Sequence, residues 1–244
     1  MKVVILCGGK GQRIGSDPLR IPKALVQVGN RPLILYTMER YAAAGITDFV
    51  LCGGYLVKEL QAFFCEYGCV VLQTHQWIRC CANISGRGCS VEIWDTGVDT
   101  SKVERIRMVL QRVADATFFI SYCDCISDVD IQGLLAQHKK TGAMMTLTVV
   151  NPVSRYGHII CEDDMALAME EKPLLRDVWI NSGFMAVSPE AADLFLNHDD
   201  GSELESTILP ELARQKKMAV YYHKGFWRNI ETQKDIAQLN DLLL

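Results

Sequence analysis

Along the chain, short runs of β-branched and aromatic residues alternate with stretches whose apolar positions recur at helical spacing. Strands are predicted at 2–7 and 48–52, followed by helices at 32–44 and 57–66 respectively. Pro32 suits a first helical turn and Gly45 a C-terminal cap, so the first helix carries both boundary signals. Strands at 91–95, 117–122 and 144–150, with helices at 102–113 and 129–141, continue this βαβ grammar. Such units imply an α/β fold with a doubly wound, mostly parallel, Rossmann-like sheet. After Asn151 the pattern shortens to strands at 158–161 and 179–187 and helices at 189–196 and 203–216, which reads as a small β-rich elaboration. No linker or repeat divides the chain, so a single domain over 1–244 is expected, with halves at 1–150 and 151–244.

Composition narrows the function. With 49% hydrophobic residues over 244 positions the chain can bury a substantial core. A formal net charge of -4 leaves no broad cationic field for a nucleic acid or an anionic membrane, so any phosphate chemistry must be local. The ten cysteines lie mostly in apolar runs, and Cys80, Cys81 and Cys89 near His75 lack the paired spacing of a structural zinc site. They read as buried, reduced thiols. The first apolar run ends at Gly8, too short for a signal-peptide core, and no later one approaches membrane-spanning length. A cytoplasmic protein is expected.

The first strand runs into Cys7-Gly8-Gly9-Lys10-Gly11-Gln12-Arg13, at the carboxyl end of a parallel strand, where ligands bind in such sheets. Glycines there let backbone N–H groups approach phosphate oxygens, and Arg13 and Lys23 add localized positive charge. Alone, the three glycines read equally as a tight turn. The loop is not a Walker A motif, lacking a closing Gly-Lys-Ser/Thr, and it does not fit the dinucleotide spacing Gly-x-Gly-x-x-Gly.

Leu6, Gly8, Gly9, Gly11 and Arg13, followed by Pro22-Lys23, resemble the glycine loop and Pro-Lys pair of the sugar-1-phosphate nucleotidyltransferase family. The resemblance is greatest to glucose-1-phosphate cytidylyltransferases and extends over nearly the whole chain. It is carried further by Asp95-Thr96-Gly97, residues 122–130, Glu171-Lys172-Pro173, residues 179–184 and Gly225-Phe226-Trp227. It implies the nucleotide-diphospho-sugar transferase fold, with a nucleotide-binding first half and a substrate-side second half. It also implies a nucleotide site at Leu6, Cys7, Gly8, Gly9, Lys10, Gly11, Gln12, Arg13, Lys23, Thr100 and Arg105. For Arg105, a solvated helix residue like Arg107 or Arg112 is a competing reading.

Asp124 follows an apolar strand, which sets a carboxylate at the strand's carboxyl end facing the same crevice as the loop, suited to Mg²⁺. The competing role of helix N-cap falls to Ser127 or Asp128. Glu231 occupies the position of the family's second metal carboxylate, usually Asp; it reads also as a charge favouring the start of the final helix. Around Asp124 the family's glycines are replaced by Cys123 and Cys125. On the acceptor side the resemblance assigns Glu171, Lys172, Asn181 and Gly183 to the sugar phosphate; Asn181 reads equally as a satisfied structural residue.

The implied reaction is in-line attack of an acceptor phosphate oxygen on the α-phosphorus of a nucleoside triphosphate, CTP by resemblance, with pyrophosphate leaving. Arg13 and Lys23 would hold the phosphates, Lys172 the acceptor, and Asp124 with Glu231 the Mg²⁺. Glucose 1-phosphate as acceptor and a homo-oligomer follow from the resemblance alone. A nicotinamide-dependent oxidoreductase would need an acidic ribose-binding residue after the second strand, where Gly53-Gly54-Tyr55 stands. A noncatalytic nucleotide-binding relative is motivated by Cys123, Cys125 and Glu231.

Overall fold

The structure, a computed structural model, describes residues 1–9 and 21–243. Strand β1 (Lys2–Leu6) lies at its centre, buried on both faces, and is followed by a short pair, β2 (Gln27–Val28) and β3 (Arg31–Pro32). Helix α1 (Leu33–Ala43) starts immediately after Pro32, which caps it from extended backbone instead of occupying its first turn. It ends as the sequence implies. Gly45, at φ +82°, turns the chain so that its N–H reaches the Ala42 carbonyl and the Ile46 N–H reaches that of Tyr41.

Strand β4 (Asp48–Gly53), helix α2 (Val57–Tyr67) and strands β5 (Gly68–Gln73), β6 (Trp77–Ile84) and β7 (Arg87–Asp95) follow. The predicted strand at 91–95 is thus the end of a longer one that belongs to an antiparallel edge ribbon. Next come α3 (Lys102–Val109), β8 (Phe118–Tyr122), β9 (Cys125–Ser127), α4 (Ile131–Thr141) and β10 (Met145–Val150). The predicted helix at 102–113 ends early and tightens into a 3₁₀ turn over Leu110–Arg112. The last part contains the hairpin β11 (His158–Glu162) and β12 (Met165–Glu170), then β13 (Ile180–Val187), α5 (Ala192–Asn197), α6 (Leu209–Arg214), β14 (Met218–Tyr222), β15 (Trp227–Asn229) and α7 (Gln233–Leu243).

Among the described residues the main sheet has nine strands, in the order β14-β10-β13-β8-β1-β4-β7-β6-β5. Only β13 and β6 run against the rest, so it is mostly parallel in direction, with mixed pairings at its flanks. The second half is therefore not an appendage. β13 inserts between β8 and β10, and its run of buried residues fits a strand covered on both faces. Among the described strands of that half, the exposed β11–β12 hairpin and β15, which pairs with β9 of the first half, stand apart from the main sheet.

Alternate residues of the central strands feed two cores. Val3, Ile5, Phe49, Leu51 and Phe119 pack with α1, α2 and α4 on one face. Val4, Val50, Phe118 and Ile120 pack with α3, α5 and α6 on the other. Each fully buried Leu, Ile or Phe contributes about 1.5–3 kcal/mol, so the two-sided covering fixes the register of the parallel strands. A third cluster, of Val26, Val28, Leu33, Ile126, Ile230, Ile236 and Leu239, ties α7 and the β9–β15 ribbon to the start of α1. That cluster holds in place the segments that carry Lys23, Asp124 and Glu231.

Candidate active site

A cleft of about 750 Å³ opens beyond the carboxyl ends of β1 and β8, a size suited to a nucleotide-sized ligand. Of the residues predicted for function, Leu6, Cys7, Gly8, Gly9, Lys23, Thr100, Arg105, Asp124 and Glu231 line it. Lys10, Gly11, Gln12 and Arg13 lie outside the described residues. Glu171, Lys172, Asn181 and Gly183 do not line the cleft.

Parallel pairing brings Leu6 beside Tyr122, so the chain leaves β1 as Cys7-Gly8-Gly9 and leaves β8 as Cys123-Asp124 side by side. Lys23 reaches the same point from a 3₁₀ turn that starts after Pro22, and its Nζ donates to Asp124 Oδ2 at 3.0 Å. On the far side, the β9–β15 ribbon pairs Cys125 with Asn229, and the Ile230 N–H donates to the Asp124 carbonyl at 2.8 Å. The Glu231 side chain thereby shares the cleft with Asp124. It accepts from Asn229 Nδ2 at 2.9 Å and pairs with Arg155.

The N-cap position of α4 belongs to Asp130, whose side chain makes no capping bond, and not to Ser127 or Asp128 as expected. The Ser127 hydroxyl accepts from the Val129 N–H ahead of the helix, and Asp128 pairs with His223 at 3.0 Å. At α7, Thr232 Oγ1 accepts from the Asp235 N–H while Asp235 Oδ2 accepts from the Thr232 N–H at 2.8 Å, a reciprocal capping box. Asp235 also accepts from the Glu231 N–H at 2.9 Å, so the Glu231 side chain is not the charge that starts the helix.

Arg105 is not the solvated helix residue of the competing reading. It is 4% exposed, and each of its five N–H groups faces an oxygen. Nε donates to the Thr100 carbonyl at 3.1 Å, Nη1 to the Gly53 carbonyl at 3.0 Å and Thr96 Oγ1 at 2.6 Å. Nη2 donates to the Gly8 and Val98 carbonyls at 3.3 and 3.2 Å.

Cys123, expected beside the metal carboxylate, also lines the cleft, and the sequence reading missed the rest of the lining: Val98, Asp99, Ser101, Lys102, Tyr122 and Glu203. Lys102 stands 4.6 Å from the centre of the Tyr122 ring and pairs with Glu205, which accepts from the Tyr122 hydroxyl at 2.6 Å. Burial first, and then Glu205, push the Tyr122 phenol well above its ordinary range, so it stays protonated. The same ring explains Gly183. This glycine sits at φ +91°, and a Cβ there would come within 2.9 Å of the Tyr122 side chain. Asn181 Oδ1 accepts from the Gly183 N–H at 2.9 Å. Lys172, at φ +51°, is exposed beyond the β11–β12 hairpin, 3.6 Å from Glu171.

Cys125 is buried in the core, its Sγ against the Ser182 carbonyl, whereas Cys123 lines the cleft. Burial raises the thiol pKa at Cys7, Cys123 and Cys125, and to about 12 at Cys52, so none supplies a thiolate near neutrality. No group of three or more His, Cys, Asp or Glu that could hold a metal occurs among the described residues.

A glycine loop, a lysine and two carboxylates around one cleft form a site suited to phosphate groups, and the family model for nucleotidyl transferases matches residues 2–244. The chain belongs to the nucleotidyl transferase family. It is 32% identical to the probable glucose-1-phosphate cytidylyltransferase of Bacillus subtilis (strain 168), covering 99% of this chain and 96% of that protein. It is 30% identical to the glucose-1-phosphate cytidylyltransferase of Salmonella typhi, covering 99% and 95%. In fold it is similar to HddC from Yersinia pseudotuberculosis, with a TM-score of 0.70 at 18% identity over 100% of this chain and 99% of the other. Among the described residues, no helix is long and apolar enough to cross a membrane.

Proposed function

We propose that this nucleotidyl transferase joins CTP to a sugar 1-phosphate, glucose 1-phosphate foremost, and releases pyrophosphate in an Mg²⁺-dependent reaction. The observation that carries the reading is the convergence of Gly8, Gly9, Lys23, Asp124 and Glu231 on one cleft at the carboxyl ends of β1 and β8. The choice of nucleotide and acceptor is supported by the two cytidylyltransferase relatives, which match almost end to end.

A phosphate monoester is already an adequate nucleophile, so no general base is required of the protein. Open glycine backbone at Gly9, where a Cβ would meet nothing within 4 Å among the described residues, leaves room for a phosphate to approach the main chain. Lys23 supplies a cation at the reacting phosphates, and Arg13 is proposed for the leaving ones. Lys172 is proposed for the acceptor phosphate, on the motif alone.

The donor set fits Mg²⁺, which binds through one or two carboxylates plus substrate phosphates and seldom uses an all-protein cage. Asp124 and Glu231 would hold it. Bound there, it would neutralise charge on the triphosphate. A cytoplasmic homo-oligomer belongs to the same reading and is tested by cell fractionation and sedimentation.

The deciding experiment is pyrophosphate release with each of the four nucleoside triphosphates against a panel of sugar 1-phosphates, with and without Mg²⁺. CTP with glucose 1-phosphate should give the highest kcat/KM. The Arg155–Glu231 pair favours one second reading, a noncatalytic nucleotide-binding relative, because it occupies a carboxylate oxygen proposed for the metal. Tight nucleotide binding with no turnover of any pair would select that reading.

A further inference from the structure

The cysteines were expected to be buried thiols, yet Cys69 and Cys81 are exposed, as is Cys161. Cys69 stands on β5 and Cys81 on β6, and the antiparallel register sets the two directly opposite each other. Facing residues share one side of the sheet, with Cα atoms about 4.5–5.5 Å apart, inside the range that a disulfide spans. Gly68 lets the strands close at this point, since a Cβ there would fall 2.2 Å from the Cys81 carbonyl oxygen.

The neighbouring thiols are placed differently. Cys80 is buried in the core with α2, and burial, then Cys65 beside it, pushes its thiol up to about 12. It carries little thiolate near neutrality, and the thiolate is the form that reacts with an oxidant. Cys80 and Cys81 follow each other along one strand and so point to opposite faces, which keeps them apart. Cys161 is exposed on β11 but faces Ala166, not a second thiol.

We propose that Cys69 and Cys81 are a redox site: a peroxide joins them in a reversible disulfide that clips β5 to β6. One thiol, as its thiolate, attacks the peroxide; the O–O bond breaks, and a sulfenic acid forms while the thiol proton leaves in water. The facing thiol then attacks that sulfur, the S–O bond breaks, a second water leaves and the S–S bond forms, so two electrons pass from the thiols to the peroxide. β5 is the strand that such a clip serves, because among the described strands it has a partner on one side only and its Val70, Val71 and Leu72 are exposed. The pair lies away from the cleft. Cys81 pairs with Ser90, which faces Asp48 at the amino end of β4, whereas the cleft opens at the carboxyl ends of the parallel strands. The proposal therefore stands apart from the nucleotidyl-transfer reading.

The test uses the whole chain, reduced with dithiothreitol and then treated with hydrogen peroxide. Peptide mapping by mass spectrometry without reduction should find Cys69 joined to Cys81 within one chain, and dithiothreitol should release the link. Because the bond closes a short loop, the oxidised protein should melt about 5–10 °C above the reduced one. Cys69→Ser and Cys81→Ser, both at exposed positions, should each lose the link and the rise in melting temperature, whereas Cys161→Ser should keep both. A bond from Cys65 to Cys80, bonds between two chains, or Cys69 and Cys81 left as thiols or oxidised singly to sulfenic or sulfinic acid would overturn the proposal. A linked protein that melts like the reduced one would overturn it too, since the bond would then fasten nothing. The mapping is done on wild type, so it decides the matter even where a variant fails to fold.

Discussion

Replacing Lys23 with methionine removes a cation from the cleft while keeping much of the side chain's bulk, and the geometry lets two consequences be separated. The first is on stability. The Lys23–Asp124 pair spans 3.0 Å, with side chains 18% and 36% exposed, so water screens it and its loss costs at most about 1 kcal/mol. Against a typical stability of about 5–15 kcal/mol, that leaves the population folded. The second is on the reaction. A preorganised donor aimed at developing phosphate charge contributes about 2.7–4 kcal/mol to the transition state, or about 10²–10³ in kcat. The catalytic loss thus exceeds the stability loss severalfold in free energy. Pyrophosphate release measured beside a thermal melt checks both. Lys23→Met should melt within a few degrees of wild type and turn over about 10²–10³ times more slowly. Activity within a few-fold of wild type would refute the assignment, and so would inactivity explained by unfolding at the assay temperature.

Asp124→Asn should shift the Mg²⁺ titration of pyrophosphate release to higher concentration, whereas unchanged titration would remove Asp124 from the metal role. Gly8→Ala places a Cβ 2.1 Å from Arg105 and should destabilise by about 1–3 kcal/mol, while Gly9→Ala, with nothing within 4 Å among the described residues, should melt like wild type; equal melts would contradict the packing. Buried Glu92 gives a pH prediction. Burial opposes its charge, but hydrogen bonds from Arg112, Arg79 and Trp94 outweigh this and hold its carboxyl below the usual range. Its contribution is therefore full above the ordinary glutamate pKa and is lost as pH falls through the lowered one. Glu92→Gln should cost about 1.5–3 kcal/mol near neutrality in urea melts and flatten the acid limb, and an unchanged limb would reject the assignment.

The parallel heart of the fold was legible because strands buried on both faces read as unbroken apolar runs between helices of clear period. β1, β4, β8 and β10 fall within a residue or so of their predicted bounds. The edge ribbon of β5 and β6 was not: residues 69–72 form an apolar run that the fold leaves exposed at the sheet's edge, and β6 beside it alternates between buried and less buried positions. β14 was missed as well, an apolar run at the opposite edge with no fully buried position. β13 was found as a strand, yet its place inside the main sheet was not, because direction and neighbours depend on contacts far apart in sequence.

The site divides along a similar line. Residues at strand ends, such as Gly8 and Asp124, announce themselves because position in a parallel sheet implies the crevice. Lys102, Tyr122 and Glu203 carry no such signal and are brought to the cleft by packing, Lys102 and Tyr122 converging on Glu205 from a sequence distance of more than eighty residues. Arg105 shows what a motif leaves undetermined even when it finds the right residue. A solvated helix arginine and a buried one share the same sequence spacing, and the difference lies in the five protein oxygens that fold around this guanidinium.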